Sequence, residues 1–155
     1  MKKTLGIAIA FVGISAAATI ALADPMSEAV ISMRQRLMDS NGAAGALAVG
    51  MIRGTIPFDA AVAAAAANSI SHDNSVVFDL FPDGSDKGNG SDGKPTKAGP
   101  DIWKNKADFK ALSLKMVADA KAAADAAAKG KDAYAAAFAV VGQNCQACHE
   151  KYRQS

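Results

Sequence analysis

Two alanine-rich tracts constrain the fold more than any other part of the sequence. They read AAVAAAAAN at 60–68 and DAKAAADAAAKGKDAYAAAFA at 119–139. Alanine has the highest intrinsic helix propensity, and the chain has few of the alternating β-branched and aromatic runs that are typical of strands. The sequence therefore predicts an all-α fold. Because alanine buries little apolar area per residue, such a fold would benefit from a bulky apolar body in its core.

Glycine and proline divide the chain into four predicted helices, at about 26–52, 57–79, 102–128 and 131–153. Pro57 suits the first turn of the second helix, where its missing N–H costs nothing. The stretch 81–101 carries five glycines and three prolines and is predicted to be a long surface loop. Two short connections and one long one predict an antiparallel four-helix bundle in a single domain, residues 24–155.

The first 23 residues are typical of a secretory signal peptide that is cleaved after Ala23. An uncleaved membrane anchor is the alternative, because the apolar run is almost long enough to span a bilayer. Cleavage would remove Lys2 and Lys3, which lowers Lys+Arg from 17 to 15 against 15 Asp+Glu and the formal net charge from +2 to 0. A neutral mature domain gives no reason to expect nucleic-acid or membrane binding. Export predicts a bacterial periplasmic location.

The two cysteines, Cys145 and Cys148, stand three residues apart and are followed at once by His149. A zinc site would need about four ligands, and His72 is the only further histidine. A thioredoxin-like dithiol would require a βαβ context that this sequence lacks. Cys-x-x-Cys-His is the signature of covalent haem attachment, in which both thiols on one side of a helix bind one edge of the porphyrin and the histidine turns towards the iron. The motif therefore predicts one haem c.

With this motif on its last helix, the chain resembles the class II cytochromes c, the cytochrome c-prime family. The resemblance covers nearly all of the mature chain. It rests on four segments: MRQRLMDSNG at 33–42, GTIPFDAA at 54–61, IWKNKADF at 102–109 and CQACHEKYR at 145–153. It implies a four-helix bundle with the covalent haem on the C-terminal helix and with His149 as one axial ligand of the iron.

The two branches of that family differ at the sixth position of the iron. In one, an apolar side chain leaves a five-coordinate, high-spin iron; in the other, a methionine of the first helix ligates a low-spin iron. The stretches LMDSNGAAGAL and LFPD look more like the low-spin branch, in which Met38 matches the ligand. Alternatives are Met38 as an unbonded distal or core residue and, less favoured, His72. The competing methionines are Met26, Met33, Met51 and Met116; Met33 points about 140° away from Met38 on a helix.

The resemblance also implies contacts of the haem with other side chains. Arg34, four residues before Met38, matches an arginine near the haem propionates. Arg153, four residues after His149, matches an arginine beside the proximal histidine. Phe138 lies on nearly the same helical face as Cys145 and is a further candidate contact. Trp103 and Tyr152 have weaker claims, since a lone tryptophan is usually a packing anchor.

The expected function is one-electron transfer in the periplasm by a His/Met-ligated haem, since a saturated iron leaves no open position for substrate. The protein would then be a redox shuttle and not an enzyme. The alternative is a five-coordinate protein that binds or scavenges nitric oxide or other small gases. The redox partner is not predicted, and monomer and homodimer remain alternatives.

Overall fold

The computed structural model describes residues 24–154, so the predicted signal peptide lies outside the described residues. Four long helices form the body of the molecule: α1 (Pro25–Arg53), α2 (Ala60–Val77), α4 (Lys106–Ala127) and α5 (Lys131–Tyr152). A short helix, α3 (Asp101–Lys104), precedes α4, and a 3-10 turn, Phe78–Leu80, extends α2. The predicted all-α four-helix fold is confirmed. No helix within 24–154 is long and apolar enough to cross a membrane.

The ends of α1 follow the local capping rules. Asp24 accepts a hydrogen bond from the Met26 backbone N–H at 3.2 Å, and Pro25 occupies the first helical position. At the other end, Gly54 adopts a left-handed conformation with φ 78°, and its N–H donates to Met51 O at 3.2 Å. These caps satisfy backbone groups that a helix end leaves free, so they set the bounds of α1.

The start of the second helix differs from the prediction. Pro57 does not open α2; the helix begins at Ala60, because Asp59 is extended and its carboxylate accepts a hydrogen bond from the Val62 N–H at 2.9 Å. A side-chain acceptor at this position stabilises the first free N–H groups of a helix. The cap at Asp59 therefore outweighs the preference of proline for a first turn.

The predicted third helix, 102–128, is not continuous. It breaks at Asn105, whose φ of −128° and ψ of 43° lie outside the helical range. The side-chain amide of Asn105 donates to Asp101 O at 3.1 Å. Asparagine side chains compete for backbone groups in this way and disfavour helix interiors. The break therefore separates α3 from α4.

The bundle core is made largely of alanine. Its buried members include Ala48, Ala63, Ala67, Ala120, Ala123 and Ala127, with larger side chains such as Met51, Ile70, Tyr134, Phe138 and Val141 between them. Hydroxyl groups also join α2 to α4, since Ser113 donates to Asn74 O at 2.6 Å and Ser71 donates to Val117 O at 3.1 Å. Small side chains let these helices approach closely.

The helix pairs are packed unequally. Helix α2 packs extensively against α1 and α4, and α4 packs against α5, whereas α1 and α5 make few direct contacts. A seam between α1 and α5 is therefore the most loosely closed side of the bundle.

A second, aromatic cluster closes the end of the bundle where α5 ends. Buried Ile102, Phe109 and Tyr152 form its centre, and half-buried Phe81 and Trp103 pack against it. The Phe81 ring lies edge-on to Phe109 with centroids 4.8 Å apart, and Phe109 lies edge-on to Tyr152 at 5.2 Å. Such edge-to-face pairs contribute beyond the area that they bury.

Candidate haem site

The cysteine motif occupies the last two turns of α5, between the two apolar clusters. Cys145 packs against the alanine-rich core, whereas Cys148 packs against the aromatic cluster. Both thiols are half-buried and unbridged, and His149 is exposed. The motif therefore lies where the two clusters meet.

Burial controls the protonation of the motif. It raises the pKa of the Cys145 thiol, and it raises the pKa of Cys148 to about 11, with further contributions from Cys145 and Asp108. Although much of the side chain is exposed, partial burial of the imidazole, followed by the positive charge of Arg153, lowers the pKa of His149. A lowered pKa favours the neutral imidazole, which is the form that binds a metal.

Met38 lies at the same height in the bundle as the cysteine motif. At the opposite end of the bundle, the Cβ position of Gly54 is 3.9 Å from Lys131 Nζ, so α1 ends about where α5 begins. Met38 precedes Gly54 by 16 residues and Cys148 follows Lys131 by 17. At about 1.5 Å per residue, both residues lie roughly 25 Å from that end. The antiparallel helices thus bring the predicted sulfur ligand level with the attachment site.

Two glycines, one on α1 and one on α5, leave room on the helical faces that carry Met38 and His149. Gly45 is seven residues after Met38 and Gly142 is seven before His149, so each shares a helical face with its partner to within about 20°. No atom lies within 4 Å of the Cβ position at either glycine. The helical faces that carry Met38 and His149 therefore each have open space one heptad from these residues.

The methionines differ in whether their side chains are buried in the core. Met51 and Met116 are 1% and 6% exposed and belong to the core. Met38 is 38% exposed, so its thioether is not used to fill the interior. Met33 is more exposed still but points away from the face of Met38. Of the five methionines within residues 24–154, Met38 alone lies level with the cysteine motif and has a side chain that is not packed into the core.

His72 has no part in this arrangement. It is exposed on α2 and lies about 160° around that helix from buried Ile70. No three His, Cys, Asp or Glu side chains within residues 24–154 come together as a metal site. His72 is therefore not positioned to bind an iron held at the cysteine motif.

Phe138 and Arg153 lie next to the motif along α5. Phe138 is buried in the core against which Cys145 packs, with its ring centroid 5.4 Å from that of Tyr134. The backbone N–H of Arg153 donates to the His149 carbonyl at 3.0 Å, which ends α5, while the arginine side chain is exposed. Trp103 anchors the loop, since its indole N–H donates to Pro82 O at 3.0 Å.

Arg34 is buried, which the sequence did not indicate. Its guanidinium donates to Leu80 O, to both oxygens of Ser85 and to Thr96 Oγ1, at 2.9 to 3.1 Å. Burial lowers its pKa to about 10, so it remains charged at neutral pH. The sequence did not predict a role for Ser85 and Thr96, which bind Arg34, or for Asp108, which binds Tyr152. These residues meet their partners only when the loop and the helices fold together.

The chemistry and shape of this region fit a covalent haem. Two thiols three residues apart can form thioethers, an imidazole whose lowered pKa favours the neutral form follows them, and the Cβ position of Gly142 on the same helical face is open.

The sequence matches the protein family described as Cytochrome C' over residues 29–153. It is 36% identical over 124 residues to cytochrome c-556 of Agrobacterium fabrum, a match that covers 79% of this chain and 80% of the relative. It is also 36% identical over 107 residues to cytochrome c' of Rubrivivax gelatinosus, which covers 67% and 78% of the two chains.

Solved structures agree with this assignment. The crystal structure of cytochrome c' from Thermochromatium tepidum superposes with a TM-score of 0.75 and 30% identity, and covers 86% of this chain and 100% of that one. Cytochrome c' from Rhodopseudomonas palustris gives a TM-score of 0.74 at 32% identity, with coverage of 81% and 96%. The predicted haem c cofactor is confirmed by this kinship. The chain belongs to the cytochrome c' family, the class II cytochromes c.

Proposed function

We propose that the mature chain binds one haem c through thioethers to Cys145 and Cys148, with His149 as the proximal ligand of the iron. The spacing of these residues on the last turns of α5 and the open space at Gly142, on the face of His149, support this assignment. When bound, the haem supplies a one-electron couple. The chain's own part would be to keep the imidazole in its neutral form and to shield part of the porphyrin from water.

The leading candidate activity is electron transfer with Met38 as the second axial ligand. One observation carries it: Met38 is level with the motif, shares the face of α1 that carries Arg34 and Gly45, and is left uncommitted by the core. Methionine opposite histidine favours the ferrous state relative to two nitrogen ligands. A closed sixth position would make the protein a carrier and not an enzyme, with a redox partner of unknown identity.

The second candidate is a five-coordinate haem that binds small gases such as nitric oxide, with Met38 as an unbonded distal residue. Similarity to known proteins supports this candidate better than the first, because the matching family and the solved relatives are cytochromes c'. One solved relative is a cytochrome c' with an unusual ligand-controlled dimer dissociation. Cleavage after Ala23 and a periplasmic location also belong to the proposal. The mature chain would act there as a monomer or as a homodimer.

Arg34 and Phe138 complete the proposed surroundings of the haem. The four hydrogen-bond acceptors of Arg34 are uncharged, and no carboxylate pairs with it within residues 24–154, so its positive charge is not neutralised and would attract a haem propionate nearby. Phe138 would contact the porphyrin from the core side. Arg153 would stay beside His149 at the surface.

The experiment that separates the two candidates is the absorption spectrum of the purified holoprotein in both oxidation states, followed by carbon monoxide titration of the ferrous form. A low-spin spectrum with slow carbon monoxide binding is expected if Met38 ligates the iron. In that case Met38→Ala keeps the covalent haem but binds carbon monoxide readily.

Met33→Ala is the matched control, because it removes an exposed methionine from another face of the same helix. It should leave the spectrum and the carbon monoxide binding unchanged. A high-spin wild-type spectrum with avid carbon monoxide binding would instead establish the second candidate.

A further inference from the structure

Arg34 joins α1 to the long loop through a set of hydrogen bonds whose acceptors run from Leu80, the last residue of the 3-10 turn, to Thr96 in the loop. One terminal nitrogen donates to Leu80 O at 3.0 Å and to Ser85 Oγ at 2.9 Å. The other donates to Ser85 O at 2.9 Å and to Thr96 Oγ1 at 3.1 Å. The guanidinium carbon also lies 4.5 Å from the centre of the Phe81 ring, a cation–π contact.

Only arginine can make this set of bonds. Its planar fork presents several fixed donors, whereas lysine offers one ammonium group. The residue is 5% exposed, its two bonds to Ser85 are buried, and its bonds to Leu80 O and Thr96 Oγ1 are partly buried. A buried charge without an ionic partner is costly unless it is hydrogen-bonded throughout. The hydrogen bonds to Arg34 therefore favour the loop conformation in which the buried charge keeps all four acceptors.

The same loop is bonded at its other end to the last turn of α5. The Gly99 N–H donates to Tyr152 O at 2.7 Å, and the Gln154 N–H donates to Lys97 O at 2.8 Å. Gly99 has no side chain at this contact, where a Cβ atom would lie only 2.8 Å from Tyr152 O. The loop thus pairs closely with the backbone three to five residues after His149.

A chain of bonds consequently runs from α1 through the loop to α5. Arg34 is one turn before Met38, and Tyr152 is one turn after His149. The two helices themselves contact little, and at this end the loop links them by hydrogen bonds to both.

We propose that Arg34 is a positioning residue for the haem: through the loop 81–100 it sets the separation of α1 from the end of α5, and so the distance of residue 38 from the iron. This inference rests on the proposed attachment of haem at Cys145 and Cys148. It holds for either candidate activity, because residue 38 faces the sixth position as a ligand in one and as an obstacle in the other.

The test uses holoprotein variants Arg34→Lys and Arg34→Gln, with Arg36→Gln as the control. Arg36 is exposed on the same helix, and its replacement removes the same charge. The measurements are the rate of carbon monoxide binding to the ferrous form, the ferric spectrum and the hydrogen exchange of the Gly99 and Gln154 amides.

We expect both Arg34 variants to bind carbon monoxide about tenfold faster or more, and to lose protection at the two amides, since each lost charge-assisted hydrogen bond weakens the tie. Arg36→Gln should match the wild type. Arg34→Lys keeps the positive charge but loses the hydrogen-bond geometry, so it distinguishes an electrostatic role from a positioning role. If Arg34→Lys binds carbon monoxide at the wild-type rate while Arg34→Gln binds it faster, the role is electrostatic and the proposal fails.

Thr96→Val provides a milder variant if the arginine variants do not fold, because it removes one acceptor and keeps the guanidinium. It should give an intermediate rise in rate. Rates within twofold of the wild type in all these variants would overturn the inference. A high-spin wild-type spectrum would contradict Met38 as a ligand but not the role of Arg34. The carbon monoxide rates of the variants would still show whether the loop positions residue 38.

Discussion

The hydroxyl of Tyr152, one turn beyond His149, donates a hydrogen bond to the carboxylate of Asp108 near the start of α4. The same carboxylate oxygen accepts a second bond from Lys151 Nζ at 2.8 Å. Helix α5 is therefore held to α4 by consecutive residues shortly after the proposed proximal ligand. The bonds involve the ionised form of Asp108, which makes this tie dependent on pH.

Acid should loosen this tie, and Asp108→Asn should remove that dependence. Hydrogen bonds from Lys151 and then Tyr152 lower the pKa of Asp108 from its ordinary value of 3.8. A lowered pKa in the folded state means that the stabilisation is present above the ordinary value and is lost as the pH falls through the folded-state value. Thermal unfolding of the holoprotein should show a lower Tm for the variant at pH 7, and a difference that shrinks below about pH 4.

The control for that experiment is Asp101→Asn, whose carboxylate makes an exposed ion pair with Lys104 at 2.9 Å. Exposed pairs of this kind contribute little to stability. Equal effects of the two substitutions at pH 7 would contradict a special role for Asp108.

Tyr134 and Tyr152 should respond in opposite directions to loss of the hydroxyl. The Tyr134 side chain is 0% exposed, its hydroxyl has no partner within residues 24–154, and burial raises its pKa to about 12. An unsatisfied buried hydroxyl costs about 1–3 kcal/mol, whereas a typical hydrogen bond contributes about 1 kcal/mol. Tyr134→Phe should therefore stabilise the holoprotein by about 1 kcal/mol, and Tyr152→Phe should destabilise it by about as much.

Denaturant unfolding of the two variants measures these changes. The prediction for Tyr134 is wrong if Tyr134→Phe lowers the free energy of unfolding by about 1 kcal/mol or more, which would mean that the hydroxyl has a partner such as a buried water.

Gly142 tests whether the α1–α5 seam receives the haem. Its Cβ position has no atom within 4 Å, so a leucine there would fit the chain alone, and it would add helix propensity. If the haem occupies the seam, Gly142→Leu will clash with it, and the haem bound per polypeptide should fall several-fold. Ala136→Leu, on the exposed face of α5, is the control and should load normally. Full haem content in Gly142→Leu would place the haem elsewhere.

The helices and the cofactor could be predicted from the sequence because their signals are local. Alanine tracts favour helices wherever they occur, and the thiols of Cys145 and Cys148 are three residues apart in any fold. The start of α2 and the break at Asn105 were predicted wrongly for a local reason too: the side chains of Asp59 and Asn105 bond to nearby backbone groups, and these bonds outweighed helix propensity and the signal at Pro57.

The surroundings of Arg34 could not be predicted from the sequence. Its place one turn before Met38 was visible, and a haem propionate was the expected partner, but the four acceptors that surround it come from residues 46 to 62 positions away. No local pattern connects an arginine in a helix to Ser85 and Thr96 in a loop.

By itself, the sequence determined that this chain forms four helices and is a haem c protein, since helix propensity and the spacing of the cysteine motif act over a few residues. The tertiary structure decided which residues meet: Met38 comes level with Cys148, Arg34 is buried under the loop, and α1 and α5 stay apart. These relationships follow from the antiparallel packing of helices and from the need to satisfy a buried charge, both of which involve residues distant in the chain.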